Sequence, residues 1–123
     1  MNILIVVAHP DDEVLGMGAT ILRHATQGDK ITVAYLATGI TSRYDSNYQN
    51  VRSYESNKKQ QLNTKSQIDE LRKDAKKACN ILKVKKNIFF DFPDNEMDTV
   101  PLLKIVKTVE KLIKEIKPDR IYT

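Results

Sequence analysis

An α/β fold, a Rossmann-like three-layer α/β/α sandwich with a mostly parallel sheet, is predicted by three features of this 123-residue sequence. Strand-like and helix-like patterns alternate as β-α-β-α-β-α-β, which with right-handed crossovers builds such a sandwich. The run Ile3 Leu4 Ile5 Val6 Val7 is continuously apolar, as strands buried on both faces of a parallel sheet are. No internal repeat and no Gly/Ser linker divides the chain, and its length suits one domain, residues 1–123, that buries roughly two-thirds of its unfolded surface.

Asn2 to Ala8 reads as the first strand and Val14 to Gln27 as the first helix, with Leu15, Ala19, Leu22 and Ala25 or Thr26 recurring on one side and Gly28 as its stop. His24 stands 15 residues beyond His9, roughly 20 Å down that helix at ~1.5 Å rise per residue, and is expected to be a surface histidine. Gly16 and Gly18 lack the third glycine of a dinucleotide fingerprint, and the turn before them carries acids that repel phosphate; they are read as allowing close packing of the helix start. Lys30 to Thr38 gives a second strand. From Gly39 to about Lys65 the sequence turns polar, with Tyr44, Tyr48 and Tyr54 spaced through it. A stretch of this kind is either solvated disorder or a lid over a site, in which case Arg43 and the tyrosines are available to sugar or phosphate.

Ser66 to Leu82 has the pattern of a helix, with a capping-box-like start at Ser66 and Asp69 and a stripe of Ile68, Leu71, Ala75, Ala78 and Leu82. Arg72 lies beside that stripe, either as an ion-pairing surface arginine or as a site residue. The single Cys79 cannot form an internal disulfide and is expected as a small core residue. Asn87 to Asp91 forms a short third strand, followed by the turn Phe92 Pro93 Asp94 Asn95. Pro101 can open a further helix at its first position, with Leu102, Val106, Val109, Leu112, Ile113 and Ile116 as its core stripe. Pro118 stops it, and Asp119 to Thr123 begins a fourth strand.

The formal net charge is +4, most of the excess being lysine on the polar sides of helical patterns. Without interleaved aromatics, or arginines placed for base contacts, these read as solvated faces and argue against nucleic-acid binding; a modest attraction to a phosphorylated or membrane-surface substrate remains open. No apolar run approaches the ~18 residues that span a bilayer, and the N-terminus is a strand pattern without a basic leader, so a cytoplasmic location is expected.

The chemistry concentrates in Ala8 His9 Pro10 Asp11 Asp12 Glu13, directly after the first strand. Ligands of open α/β sheets bind at the carboxyl ends of the strands. A lone His-Pro or Asp-Asp pair is ordinarily a capped loop. Three acids and a histidine packed together after a hydrophobic strand are costly to place there without a cation. His9 and Asp12, with Pro10 stiffening the turn, can converge on one ion, and nitrogen-plus-oxygen ligation suits zinc or a related divalent transition metal better than magnesium. Asp11 is then placed to act as a general base, because such an ion lowers the pKa of water from ~15.7 to about 7. Glu13 adds an acid at a helix start, where the dipole favours negative charge.

The hexapeptide, preceded by Ile3 to Val7 and followed by Val14 Leu15 Gly16 Met17 Gly18, resembles the signature of the LmbE-like, or PIG-L, family of zinc-dependent N-acetylglucosaminyl deacetylases. Supporting matches occur in order along the chain: the helix with Arg72 that ends at Ile81 Leu82, the turn Phe92 to Asn95, and Lys117 to Thr123. The resemblance implies His9 and Asp12 as zinc ligands, Asp11 as general base, Arg72 and Asp94 as contacts to sugar hydroxyls, and a small amino-sugar substrate. Lys83 stands where the family often has glycine, and Glu96 where it often has arginine. The resemblance further implies that the third zinc ligand is a histidine just beyond the strand ending at Thr123. The chain is therefore expected to be the N-terminal portion of a longer deacetylase, its sandwich truncated on the C-terminal side, inactive or nearly so and prone to self-association through uncovered apolar surface. Two other readings use the same crevice: a nucleotide or sugar-phosphate binding module without catalysis, and a magnesium-dependent phosphohydrolase, against which His9 argues.

Overall fold

The computed structural model describes residues 1–40 and 58–123, with burial described from Thr64 onward in the second stretch. In chain order it contains β1 (Asn2–Val7), α1 (Asp12–Thr26), β2 (Lys30–Ala37), α2 (Lys58–Ile81), β3 (Lys86–Phe92), a 3-10 turn (Met97–Thr99), α3 (Leu102–Ile116) and β4 (Arg120–Tyr122). The strands form one sheet in the order β3-β2-β1-β4. Every pairing is parallel, with Ile5 opposite both Val33 and Tyr122, and Tyr35 opposite Phe89.

Alternation along the central strands sends side chains to two separate apolar layers. Ile3, Ile5, Ile31, Val33 and Tyr35 pack with Ile21 of α1 and with Ala75 and Cys79 of α2. Leu4, Val6 and Ala34 face the other way, against Leu112 and Ile116 of α3. The three-layer α/β/α arrangement expected from the alternation is thus present, and its parallel strands bring all the strand-to-helix loops to one edge.

The helix ends follow from local chemistry. After α1, Gly28 adopts φ 85° while its N–H reaches the Ala25 carbonyl and the Asp29 N–H reaches that of His24, a paired closure that favours glycine. The same closure ends α2, Lys83 N–H to Asn80 and Val84 N–H to Cys79, but here a lysine takes φ 59°. Lys117 (φ 47°) bonds Ile113 at the end of α3, ahead of Pro118.

Several local expectations are corrected. The expected stripe of α1 is mostly exposed, Leu15 at 82%, while Glu13, Ile21 and His24 are buried. Met17 leaves helical torsions (φ −152°, ψ 22°), so a periodicity counted from Leu15 does not carry across it. His24 is not a surface residue: it is 8% exposed and bridges Asp29 (Nδ1, 2.7 Å) and the Tyr122 hydroxyl (Nε2, 2.9 Å). Gly16 serves no close packing among the described residues, since an added Cβ would meet nothing within 4 Å. Helix α2 begins at Lys58, which leaves Ser66 and Asp69 inside it rather than at a cap. The apolar stripe of α3 is wider than the face the sheet covers: Leu112 is buried, but Leu102, Val106 and Ile113 are exposed. The polar stretch with Arg43, Tyr44, Tyr48 and Tyr54 lies outside the described residues.

Candidate functional site

Three loops at the carboxyl edge of the sheet build a small pocket of about 130 Å³. The loop after β1 contributes His9, Pro10 and Asp11; Gly39 and Ile40 come after β2, and Asp94 after β3. Leu71 of α2 closes one side. Small-molecule pockets are commonly ~300–1,000 Å³, so the space these described residues enclose is smaller than a typical small-molecule site.

Close approach of these loops depends on Gly39. It sits at φ 77°, and a Cβ there would lie 3.3 Å from Leu71 Cδ2, 3.4 Å from Pro10 Cδ and 3.6 Å from His9 Cβ. A side chain would therefore be strained in its backbone and would crowd Leu71, with ordinary contact to Pro10 and His9. Between Tyr35 and Ala37 the β2–β3 register slips, with Ala37 opposite Phe92. An extra residue in one strand re-aims the chain beyond it, and here the slip precedes the turn that carries Asp94.

His9 is the centre of the arrangement. Its Nε2 meets a carboxyl oxygen of Asp94, a residue 85 positions away whose side chain is fully buried. A neutral imidazole has one N–H, so donating it from Nε2 to Asp94 leaves the Nδ1 lone pair free. Nδ1 faces Asp12, 3.8 Å from Oδ2, and the same oxygen accepts the His9 backbone N–H at 2.8 Å. One ion about 2.1 Å from a nitrogen and an oxygen can bridge such a separation, and an imidazole oriented by a carboxylate on its other nitrogen is the usual arrangement of a metal-ligating histidine. The donor set therefore fits a zinc-like ion with two protein ligands. Among the described residues no group of three or more His, Cys, Asp or Glu residues is placed to hold one.

Asp11 lines the same pocket in an unusual backbone conformation, φ 145° and ψ −26°. Its carbonyl accepts the N–H groups of Val14 (3.0 Å) and Leu15 (2.9 Å), starting α1, while its own N–H donates to Glu13 Oε2 at 3.1 Å. Glu13 is fully buried, and its Oε1 accepts the Tyr35 hydroxyl at 2.8 Å, with Cys79 Sγ 3.2 Å from that hydroxyl. Burial, reinforced by the hydrogen bonds with Cys79 and Glu13, pushes the Tyr35 phenol far above its ordinary value. Burial likewise raises the Cys79 thiol. Both remain protonated at ordinary pH.

Of the residues singled out from sequence, the structure brings His9, Asp11, Asp12 and Asp94 together. Arg72 does not line the pocket: it donates to Asp91 Oδ1 at 2.6 Å and lies over the Phe89 ring, 5.3 Å from its centroid. Arg43 lies outside the described residues. Glu13 is legible in the sequence as an acid at a helix start, whereas its partners Tyr35 and Cys79 are not legible as part of the site. The one signal for them is Tyr35 itself, set among Val33, Ala34, Leu36 and Ala37. Gly39 carried a signal too, as a glycine closing a strand at the binding edge.

Fold and site together define an α/β protein whose chemistry is a histidine–carboxylate cluster at the carboxyl edge of a parallel sheet. The family model PIG-L, GlcNAc-PI de-N-acetylase, matches residues 4–123, and the chain belongs to this family. It is 27% identical over 123 residues to a probable N-acetyl-α-D-glucosaminyl L-malate deacetylase 2 of Bacillus cereus, covering 99% of this chain and 50% of that protein. In fold it resembles the N,N'-diacetylchitobiose deacetylase of Pyrococcus horikoshii (TM-score 0.75, 22% identity, 98% of this chain and 39% of that one). It also resembles the 4-carboxy-2-hydroxymuconate hydratase of Pseudomonas putida (TM-score 0.69, 22% identity, 98% and 45%). The chain thus spans about half the length of the curated relative it matches.

Proposed function

We propose that this chain carries the metal-binding and base-bearing part of a zinc-dependent deacetylase acting on an N-acetylated amino sugar or its conjugate. Membership in a de-N-acetylase family supports the reaction class, and a relative named for an N-acetylglucosaminyl conjugate supports the substrate class. The observation that carries the reading is the His9 ring, fixed on Nε2 by buried Asp94 so that Nδ1 faces Asp12, with Asp11 lining the same pocket.

His9 and Asp12 would hold the ion, and zinc bound there acts as a Lewis acid toward an amide carbonyl. Asp94 keeps the imidazole in the tautomer and orientation that binding needs. Asp11 takes a proton from the water that attacks the acetyl carbon and returns it to the departing nitrogen, so that acetate and a free amine result. Gly39 and Leu71 leave room for an acetyl group while the sugar ring lies outside. No helix among the described residues is long and apolar enough to cross a membrane, and a cytoplasmic enzyme on a small sugar substrate is in keeping with that.

The experiment is an amide-resolved NMR titration of the zinc-loaded chain with N-acetylglucosamine. Shifts at Asp11, Gly39 and Asp94 that glucosamine does not reproduce are expected. Equal shifts with a nucleoside phosphate, without metal and surviving Asp12→Ala, would favour a phosphate-binding module instead.

A further inference from the structure

The loop between the two proposed metal donors contains, among the described residues, an uncommon backbone conformation. Asp11 at φ 145° occupies a region that L-residues rarely adopt, and such torsions persist only where the surroundings enforce them. His9 and Asp12 flank it, and Asp12 N–H returns to the His9 carbonyl at 3.3 Å. The Asp11 torsions therefore set both the spacing of His9 and Asp12 and the direction in which the Asp11 carboxyl points.

On the other side of Asp11 lies a carboxyl group in an expensive place. Glu13 has no exposed surface and sits among the apolar residues beneath α1. Burying a polar carboxyl costs desolvation that an apolar side chain of the same size would not, so packing does not account for an acid there. Its two oxygens are used differently. Oε2 receives the Asp11 N–H, and Oε1 receives the hydroxyl of Tyr35, which Cys79 of α2 contacts in turn. Loop, sheet and α2 are joined through this one side chain.

We propose that Glu13 is a positioning residue: anchored by Tyr35 and Cys79 in the core, it pins the Asp11 backbone and so holds the metal pair in register and the base on target. This deepens the reading given above and rests on it. The arrangement is a short relative of the capping box, in which an acid inside the first turn reaches back to the N–H of the capping residue. Here the acid is the second helical residue rather than the third, and the bond spans two positions.

The test compares Glu13→Gln with Glu13→Leu in the full chain, by hydrogen exchange of the Asp11 amide and by zinc affinity. Glutamine keeps an acceptor for Asp11 while its amide group donates to the Tyr35 oxygen, and the freed hydroxyl proton turns to Cys79. Exchange and affinity within about threefold of the parent are expected. Leucine fills the space without an acceptor; Asp11 exchange at least about tenfold faster and zinc affinity lower by roughly 10–100-fold are expected, as for loss of a partner behind a metal ligand. Glu13→Asp, one methylene too short to reach both partners, should move in the same direction and replaces leucine if that variant does not fold. Unaltered Asp11 exchange and zinc affinity in the folded leucine or aspartate variant would overturn the proposal. Should the parent chain bind no zinc, the metal reading fails by itself, while the Asp11 exchange comparison still decides whether Glu13 holds the loop.

Discussion

At the scale of single residues, His9 links the two ends of the chain's polar cluster, its ring bonded to Asp94 on one nitrogen and facing Asp12 on the other. His9, Asp11 and Asp12 sit within four positions, and their residue types already state a donor pair and a base. Asp94 was placed at the same edge of the sheet by strand order alone. Its bond to His9 spans 85 positions and depends on how the β2–β3 slip aims the turn after β3, which no local pattern encodes. Lys83 is a contrasting case, a lysine at a torsion that glycine takes without strain. At φ 59° it bears a left-handed conformation that costs an L-residue roughly 1–2 kcal/mol. Glycine would remove that strain while adding freedom to the unfolded chain, an opposing effect of roughly 0.4–1 kcal/mol. Lys83→Gly is therefore expected to stabilise the fold by about 0.5–1 kcal/mol in urea unfolding. An unchanged or lowered midpoint would show that the lysine side chain contributes something the backbone bonds of that cap do not explain.

At the scale of elements, periodicity located the helices better than it identified their buried faces. The kink at Met17 resets the phase of α1, and this is why Leu15 faces solvent while His24 turns inward. Polar contacts then tie the end of α1 to the N-terminus and to β4. Asp29 accepts the N-terminal ammonium at 2.7 Å and His24 Nδ1 at 2.7 Å, and His24 reaches Tyr122 of β4. The ammonium first, and His24 second, hold the Asp29 carboxyl below the usual carboxylate range. A lowered carboxylate pKa stabilises the fold above the unfolded value, about 3.9, and that contribution fades as pH falls through the lower folded value. Asp29→Asn should accordingly be less stable than the parent at neutral pH, with the gap narrowing as pH drops below about 4. Urea midpoints of the two chains across that range are the measurement, and a gap constant with pH would dissociate Asp29 from the acid limb.

At the scale of the whole molecule, the alternation of patterns was enough for the layers, because a continuously apolar first strand leaves few alternatives to a covered parallel sheet. Coverage was less legible. Apolar spacing marks Leu102, Val106 and Ile113 as a face, yet only Leu112 on α3 is buried, and Ile121 on the short β4 is 44% exposed. Whether a stripe is covered depends on what stands opposite it, which hydrophobic periodicity in a single helix does not report. The curated relative is about twice as long as this chain, and among the described residues no three His, Cys, Asp or Glu side chains are grouped to hold a metal, where catalytic zinc sites take three protein ligands. Titrating zinc into the metal-free chain decides whether His9 and Asp12 form one half of a metal centre served by Asp11, as proposed. The titration is repeated with His9→Ala, Asp12→Ala and Asp11→Asn. Saturable binding of one zinc per chain, abolished by the first two changes and retained by the third, is the expected result. Zinc binding of parental strength in His9→Ala would contradict it and move the metal away from this edge of the sheet.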